Sequence, residues 1–141
     1  MNELQELRAK IESQDYHGAI AIINELEEMS VEDKLNKIYS YMVVLLVHLI
    51  KQNVENRSTK SWERSIFNSI KYINKTNQRR RAGGYYASEE TLQEIIEEAF
   101  SHAIKEASYE LFEGKMSVSE IEEKIDFVEI KNTAVTLIKN N

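Results

Sequence analysis

The sequence contains no proline and only four glycines, at positions 18, 83, 84 and 114. Proline and glycine mark most turns and loops, so their scarcity favours helices joined by a few short connections. An all-β chain would need far more turn-forming residues than this. We therefore expect an all-α fold, a single-domain helical bundle of five to six helices over residues 1–141.

Composition is consistent with one soluble domain and restricts the available chemistry. Hydrophobic residues make up 42% of the chain, and cysteine is absent, which excludes disulfides, thiolate metal ligands and cysteine nucleophiles. The first residues are acidic and amphipathic and lack the features of a signal peptide. The longest apolar run, residues 41–50, is about half of the ~20 residues that a membrane span needs. We expect a cytoplasmic protein that does not associate with membranes.

Apolar residues recur at helical spacing through the first half of the chain. Residues 4–11 predict a first helix, and residues 20–29 predict a short second one. Ser30, with Asp33 three residues later, resembles a capping box and predicts that a third helix begins there. This third helix is apolar on all sides between residues 42 and 50, which indicates a buried central helix.

The second half predicts a helix over 61–74 and a longer one that begins at Ser88 and ends near Gly114, followed by shorter helical segments. Residues 52–60 and 76–87 are expected to be loops. The apolar stripe of the Ser88 helix is wide and includes alanines at positions 99, 103 and 107. These alanines either fill the core of the chain or leave an edge for a dimer partner.

Charge is strongly segregated along the chain. Residues 1–33 carry 2 basic and 9 acidic side chains, residues 34–81 carry 11 basic and 2 acidic, and residues 82–141 carry 5 basic and 13 acidic. One interpretation is that the acidic flanks neutralise the basic middle within the bundle. The other is that the basic middle forms a surface that binds nucleic acid or an acidic partner.

A polar motif follows the predicted central helix: His48-Leu49-Ile50-Lys51-Gln52, then Arg57-Ser58-Thr59-Lys60-Ser61-Trp62. This motif resembles the bacterial family catalogued as domain of unknown function number 29, in which a leucine-rich helix ends in His-Leu-Leu-Lys-Trp and Ser-Trp opens the next helix. Gln52 departs from the family's tryptophan, and no proline-rich motif follows Gly114. The resemblance covers about residues 10–112 and leaves a divergent helical tail over about 115–139. It implies an all-helical fold and no established activity.

The motif has two physical interpretations. In the first, His48 and Lys51 interact with the carbonyl end of the central helix, and Trp62 packs beneath this corner, so the motif locks a helix–loop–helix. In the second, the corner is a polar pocket for an anion or, less simply, an enzyme site. The candidate residues of this functional corner are His48, Lys51, Arg57, Ser61, Trp62 and Arg64.

A second candidate site lies in the loop before Ser88. Arginine side chains can contact phosphates, and tyrosine rings can stack on bases. The possible nucleic-acid contacts are Arg79, Arg80, Arg81, Tyr85 and Tyr86. The acidic isoelectric point of about 5.2 weighs against this function.

Other chemistry finds little support. None of the three histidines has a glutamate three residues before it, as a di-iron bundle requires, and Glu98 with His102 is expected to be a solvated surface pair. We therefore expect no metal and no cofactor. The leading hypothesis is a non-catalytic interaction module that binds an unknown protein partner or a second copy of itself. The alternatives are an accessory nucleic-acid-binding protein that uses residues 34–81, and an enzyme with its site at the His48/Arg57 corner.

Overall fold

The computed structural model describes residues 2–79 and 83–141. Within these residues the regular structure consists of six α-helices and one short 3₁₀ turn, so the predicted all-α fold is confirmed. The helices are α1 (Glu3–Glu12), α2 (Tyr16–Glu55), α3 (Lys60–Asn77), α4 (Glu89–Glu110), α5 (Val118–Lys124) and α6 (Phe127–Lys139), with the 3₁₀ turn at Leu111–Gly114. None of the described helices is long and apolar enough to span a membrane.

The chain divides into two compact units, one that ends at Lys34 and one that comprises Leu35–Asn141. The first unit comprises α1 and the beginning of α2, which are joined by residues 13–15. The side chain of Asn2 accepts a hydrogen bond from the Gln5 amide at 2.9 Å, and the Gln5 side chain accepts one from the Asn2 amide at 3.1 Å. This reciprocal capping box starts α1.

The predicted break before Ser30 is wrong. Helix α2 is continuous over 40 residues, from Tyr16 to Glu55, and passes through Ser30 without interruption. A serine and an acid three residues apart act as a cap only when the preceding backbone is not helical. Residues 26–34 contain no glycine or proline, and each lowers helix stability by roughly a few tenths of a kcal/mol at most, so nothing ends the helix there.

The core of the second unit forms around the middle of α2, as the apolar pattern predicts. Ile38, Met42 and Ile50 are fully buried, and the inner face of α3 contributes Ile66, Ile70 and Ile73 to the same cluster. The alanines of α4 at positions 99, 103 and 107 are 0% exposed. These small side chains therefore fill the chain's own core, and they are not available as an edge for a second copy.

The connections are shorter than the sequence predicts. Helix α2 extends to Glu55, beyond the expected start of the loop at residue 52, and ends where Asn56 adopts a φ of 52°. Asparagine tolerates this left-handed conformation better than most residues, and it commonly ends helices. Thr59 then caps α3, because its hydroxyl accepts a hydrogen bond from the Trp62 amide at 3.1 Å. The two helices thus meet at the corner that carries the motif.

Candidate functional site

The corner between α2 and α3 brings two cations onto one aromatic ring. The Nζ atom of Lys51 lies 5.8 Å from the centroid of the Trp62 ring, and the guanidinium carbon of Arg57 lies 5.0 Å from it. Both distances fall within the range of cation–π attraction. Each cation also has a carboxylate: Lys51 pairs with Glu110 at 3.0 Å, and the Nε of Arg57 donates to Glu55 at 3.1 Å.

Two further side chains of the motif are held by local hydrogen bonds. The Nδ1 atom of His48 lies 2.8 Å from the carbonyl oxygen of Val44, one turn earlier in α2. The side-chain amide of Gln52 donates to the hydroxyl of Ser58 at 2.8 Å and so ties the end of α2 to the loop. The histidine imidazole thus engages its own helix.

The remaining candidate residues of the corner are not gathered with these. Ser61 and Arg64 are exposed, and within the described parts of the chain the side chain of Arg64 has no ion pair or hydrogen bond. Trp62 is half-buried. The corner therefore assembles Lys51, Arg57 and Trp62 with two carboxylates, an arrangement in which both cations already face an anion. This geometry favours the structural interpretation of the motif over an open anion pocket.

The described residues on the two sides of the α3–α4 connection are held together by hydrogen bonds. Asn77 is buried, and its side chain accepts a hydrogen bond from the Ala87 amide at 2.7 Å and donates one to the Ala87 carbonyl at 3.2 Å. An isolated antiparallel bridge joins Gln78 to Tyr85. The two chain segments that flank this connection are thus clamped together by Asn77.

The residues on either side of this connection include part of the candidate nucleic-acid site. The guanidinium carbon of Arg79 lies 5.9 Å from the centroid of the Tyr86 ring, and Tyr85 is 70% exposed. Arg80 and Arg81, the other two arginines of the expected site, lie outside the described residues. The structure therefore places one arginine with one tyrosine, and leaves the second tyrosine directed to solvent.

A row of cations lies on the outer side of α3. Five exposed residues share this side at spacings of four, three, four and four residues, which places them on one helix face. Its central residue is a phenylalanine that is 61% exposed. We name this the basic face; its residues are Lys60, Arg64, Phe67, Lys71 and Lys75.

The four cations of the basic face lack ion-pair partners among the described residues, 2–79 and 83–141. Two carboxylates of the C-terminal flank pair instead with lysines of that same flank, Glu97 with Lys131 and Glu89 with Lys139. Lys51 is therefore paired with a carboxylate of the C-terminal flank, Glu110. The cations on the outer side of α3 have no such partner in the described residues.

The first unit of the chain exposes many large apolar side chains. The sequence pattern suggests that they line a core, but they are between 38% and 68% exposed, because α1 and the start of α2 bury little more than Ala19 between them. A shallow groove of about 410 Å³ runs along α1 beside Leu4, Leu7 and Ile11. We name residues 3–33 the acidic hairpin; its exposed large apolar residues are Leu4, Ile11, Tyr16, Ile20, Ile23, Met29 and Val31.

Comparison with known proteins assigns the chain to a family. A model of the family described as domain of unknown function DUF29 matches residues 3–129. The chain belongs to this family. No curated protein matches it, and no solved structure does. The match extends beyond residues 10–112, over which the motif and its flanks carry the resemblance, and it includes the acidic hairpin, the corner and the basic face.

This DUF29 chain also has a polar recess that sequence patterns do not reveal. It measures about 230 Å³ and lies where the end of α2 meets α6, with Gln52, Asn53 and Asn56 on one side and Glu129 and Thr133 on the other. Residues 52–56 and 129–133 are far apart in the chain, and no motif links them. Only the packing of α6 brings them together.

The pairing of His102 differs from the expected one. Its Nε2 atom lies 3.6 Å from Glu106, one turn later in α4, and its Nδ1 atom lies 3.3 Å from the Tyr39 hydroxyl. The expected partner, Glu98, lies one turn earlier. In the described residues of the DUF29 chain, no three histidine or carboxylate side chains are grouped as metal ligands would be.

Proposed function

We propose that this DUF29 chain is a cytoplasmic, non-catalytic interaction module that binds a protein surface through its acidic hairpin. The observation that carries this proposal is the exposure of seven large apolar side chains on α1 and the first part of α2. Single exposed apolar residues are normal on a protein surface, but Tyr16, Ile20, Ile23 and Val31 share one face of α2, and an apolar row of this kind is typical of an interaction site. We therefore infer that the acidic hairpin is the part of the chain that binds the partner.

The physical reason lies in the free energy of burial. Burying a large aliphatic side chain contributes roughly 1.5–3 kcal/mol, and the hairpin leaves most of its aliphatic side chains in water. A partner that covers Ile20, Ile23 and Val31 would bury these side chains, and the free energy of this burial would stabilise the complex. The surrounding carboxylates keep the exposed hairpin soluble and favour a partner that is basic as well as apolar.

The arrangement of the corner weighs against catalysis. An enzyme site at His48 and Arg57 would need these groups to be directed at a common cavity. The His48 ring engages the carbonyl of Val44, and Arg57 engages Glu55. Both groups are thus used in stabilising the end of α2, which supports a module without chemistry of its own.

One observation favours a second candidate, an accessory nucleic-acid-binding role for residues 34–81. The cations of the basic face have no carboxylate partners in the described residues, and Phe67 lies among them. Such a face could contact phosphates and stack on a base. Against it stands the net charge of −6, which repels a polyanion at longer range. A labelled single-stranded oligonucleotide would test it: binding must fall steeply with salt and weaken in Lys71→Glu.

The leading proposal is tested by photo-crosslinking in cells. A benzoylphenylalanine placed at Asn24, an exposed position on the hairpin, should form protein adducts whose attachment point is mapped by mass spectrometry. The combined substitutions Ile20→Ser and Ile23→Ser should abolish these adducts, because they remove the apolar contact beside the probe.

The matched control is the same probe at Tyr109, an exposed aromatic residue on α4. Adduct yield at Asn24 no greater than at Tyr109 would show that the hairpin has no protein partner. Adducts that disappear after nuclease treatment would replace the leading proposal with the nucleic-acid alternative.

A further inference from the structure

The acidic hairpin and the basic face of α3 have complementary surfaces. On the first part of α2, the side chains of Tyr16, Ile20, Ile23, Glu27 and Val31 are all exposed. Their spacings are four, three, four and four residues. The basic face of α3 has the same spacings, so each set forms a single row along one side of its helix.

The two rows also match in length. Helix α3 has 18 residues, which corresponds to about 27 Å. The segment of α2 that belongs to the hairpin, residues 16–33, has the same number of residues and thus the same length, about 27 Å. Two helices of equal length with equally spaced side chains can pack along their whole extent.

The two rows carry charges of opposite sign, and both contain exposed apolar side chains. The hairpin as a whole has 9 acidic and 2 basic side chains, and Glu27 and Glu28 lie on or beside its exposed row. The side chains of Glu27 and Glu28 have no ion pair in the described part of the chain, and neither do the cations of the basic face. Each surface therefore presents unpaired charges of the sign that the other needs, around a central apolar side chain.

We propose that the partner of the acidic hairpin is a second copy of this chain, which receives the hairpin on the basic face of its α3. The inference rests on the proposed function, since it names the occupant of the same docking element. In a two-fold dimer each copy provides one hairpin and one basic face, so the same contact forms twice. This doubling matters because one helix-on-helix contact is small beside the roughly 1,200–2,000 Å² of a specific interface.

Apolar contacts provide the affinity in this arrangement, and charge provides the register. Ile20, Ile23 and Val31 lose water against Phe67 and the aliphatic stems of the lysines. The carboxylates of Glu27 and Glu28 then face the cations of Arg64 and Lys71. If one helix shifted along the other by one residue, these opposite charges would no longer face each other. Because the ion pairs are at the surface, salt weakens the association without abolishing it.

A charge exchange between two variants tests the proposal with the purified full-length chain. The first variant, Arg64→Glu with Lys71→Glu, keeps the acidic hairpin and places two carboxylates on either side of Phe67 in the basic face. The second, Glu27→Lys with Glu28→Lys, has a basic row on its hairpin and a basic α3. Either variant alone should dimerise at least about tenfold more weakly than the parent, because like charges meet in both contacts. An equimolar mixture should dimerise again, because both contacts of the mixed dimer are complementary.

Sedimentation equilibrium at micromolar concentrations, at low and high salt, gives the masses. The parent and the mixture should approach twice the monomer mass of 16.5 kDa. The matched control, Lys105→Glu with Lys115→Glu, makes the same charge change at exposed positions outside both surfaces and should dimerise like the parent. Circular dichroism confirms that each variant is folded.

Three results would overturn the proposal: a monomeric parent, variants that dimerise as the parent does, or a mixture that remains monomeric. If the parent stays monomeric and binds an oligonucleotide, and this binding is lost in Arg64→Glu with Lys71→Glu, the basic face is a nucleic-acid-binding surface. In each of these cases hairpin adducts from the crosslinking experiment can still identify another protein, so the failure of the dimer and the failure of the interaction module are separate results.

Discussion

The guanidinium carbon of Arg57 lies 5.0 Å from the centroid of the Trp62 ring, and the ammonium of Lys51 lies 5.8 Å from the same ring. Arg57 comes from the loop, Lys51 from α2 and Trp62 from α3. A single aromatic ring thus joins the end of one helix, the loop and the beginning of the next. Three polar side chains of this corner already have partners there: Lys51 pairs with Glu110, Arg57 with Glu55, and Gln52 with Ser58.

The first prediction concerns this junction. Trp62→Ala should lower the free energy of unfolding by roughly 2 kcal/mol, less than the ~3–5 kcal/mol of a fully buried tryptophan, because the ring is only half-buried. Trp62→Phe should lower it less, since an aromatic face for the two cations remains. Urea denaturation monitored by circular dichroism measures both changes. Equal stability of Trp62→Ala and the parent would contradict the structural role of the motif.

A double-mutant cycle isolates the Arg57–Trp62 interaction. Arg57→Gln removes the cation and also its contact with Glu55, so its single effect mixes two interactions. Comparing Arg57→Gln in the parent and in Trp62→Leu cancels the Glu55 contribution. We expect a coupling free energy of about 0.5–1 kcal/mol, as for cation–π pairs near a surface.

The second prediction concerns Asn77, the clamp of the α3–α4 connection. Asn77→Ala leaves the amide and the carbonyl of Ala87 without partners in a buried position, which should cost roughly 2–4 kcal/mol. The matched control is Asn68→Ala on the same helix, where the side chain makes no hydrogen bond among the described residues. If the urea midpoints of Asn77→Ala and Asn68→Ala differ little, the hydrogen bonds of Asn77 do not contribute measurably to stability.

The third prediction concerns the ion pair between Lys51 and Glu110. Lys51 is 12% exposed in its side chain and Glu110 is largely in solvent, so the pair is screened on one side. Lys51→Met preserves the aliphatic stem and removes the charge. With Glu110→Gln as the second substitution, the coupling should be about 0.5–1 kcal/mol and should shrink at high salt. A coupling that is independent of salt would exclude an electrostatic origin.

The sequence predicts the fold well because helical periodicity is a local signal. The buried apolar segment of α2 and the start of α4 at Ser88 each depend on residues within one or two turns, and the structure confirms both. The false break at Ser30 has the same origin, because a capping-box pattern is also compatible with the interior of a helix. Whether such a pattern caps depends on the conformation of the preceding backbone, which the pattern does not specify.

The surfaces are less predictable, because the exposure of a side chain depends on which helices pack against it in the folded chain. Ile20 and Ile23 have the spacing of core residues, but they are 55% and 38% exposed. Phe67 looks unremarkable in the sequence until α3 is seen to direct it to solvent between Arg64 and Lys71. The corner motif could be located by resemblance, but the pairing of Lys51 with Glu110, 59 residues later, requires the packing of α4 on α2.

The last prediction concerns Asp15, which joins α1 to α2. Its carboxylate accepts a hydrogen bond from the Gly18 amide at 3.0 Å and pairs with Lys10 at 3.3 Å. The hydrogen bond from the Gly18 amide, followed by that from Lys10, lowers the pKa of Asp15 below its ordinary value. Because the pKa is lower in the folded hairpin than in the unfolded chain, the carboxylate stabilises the hairpin above the unfolded pKa. This contribution is lost as the pH falls through the folded pKa.

The Gly18 amide reports this titration directly. Its proton chemical shift, followed by nuclear magnetic resonance, should change with a midpoint below about 3.9, the ordinary aspartate pKa. In Asp15→Asn the side-chain oxygen can still cap the helix, so the hairpin should persist, but the titration should disappear. Gly18→Ala should weaken the cap in another way, because a Cβ atom there would lie 2.6 Å from an Asp15 carboxylate oxygen. A Gly18 shift that titrates at or above about 3.9 would mean that Asp15 does not cap α2 in solution.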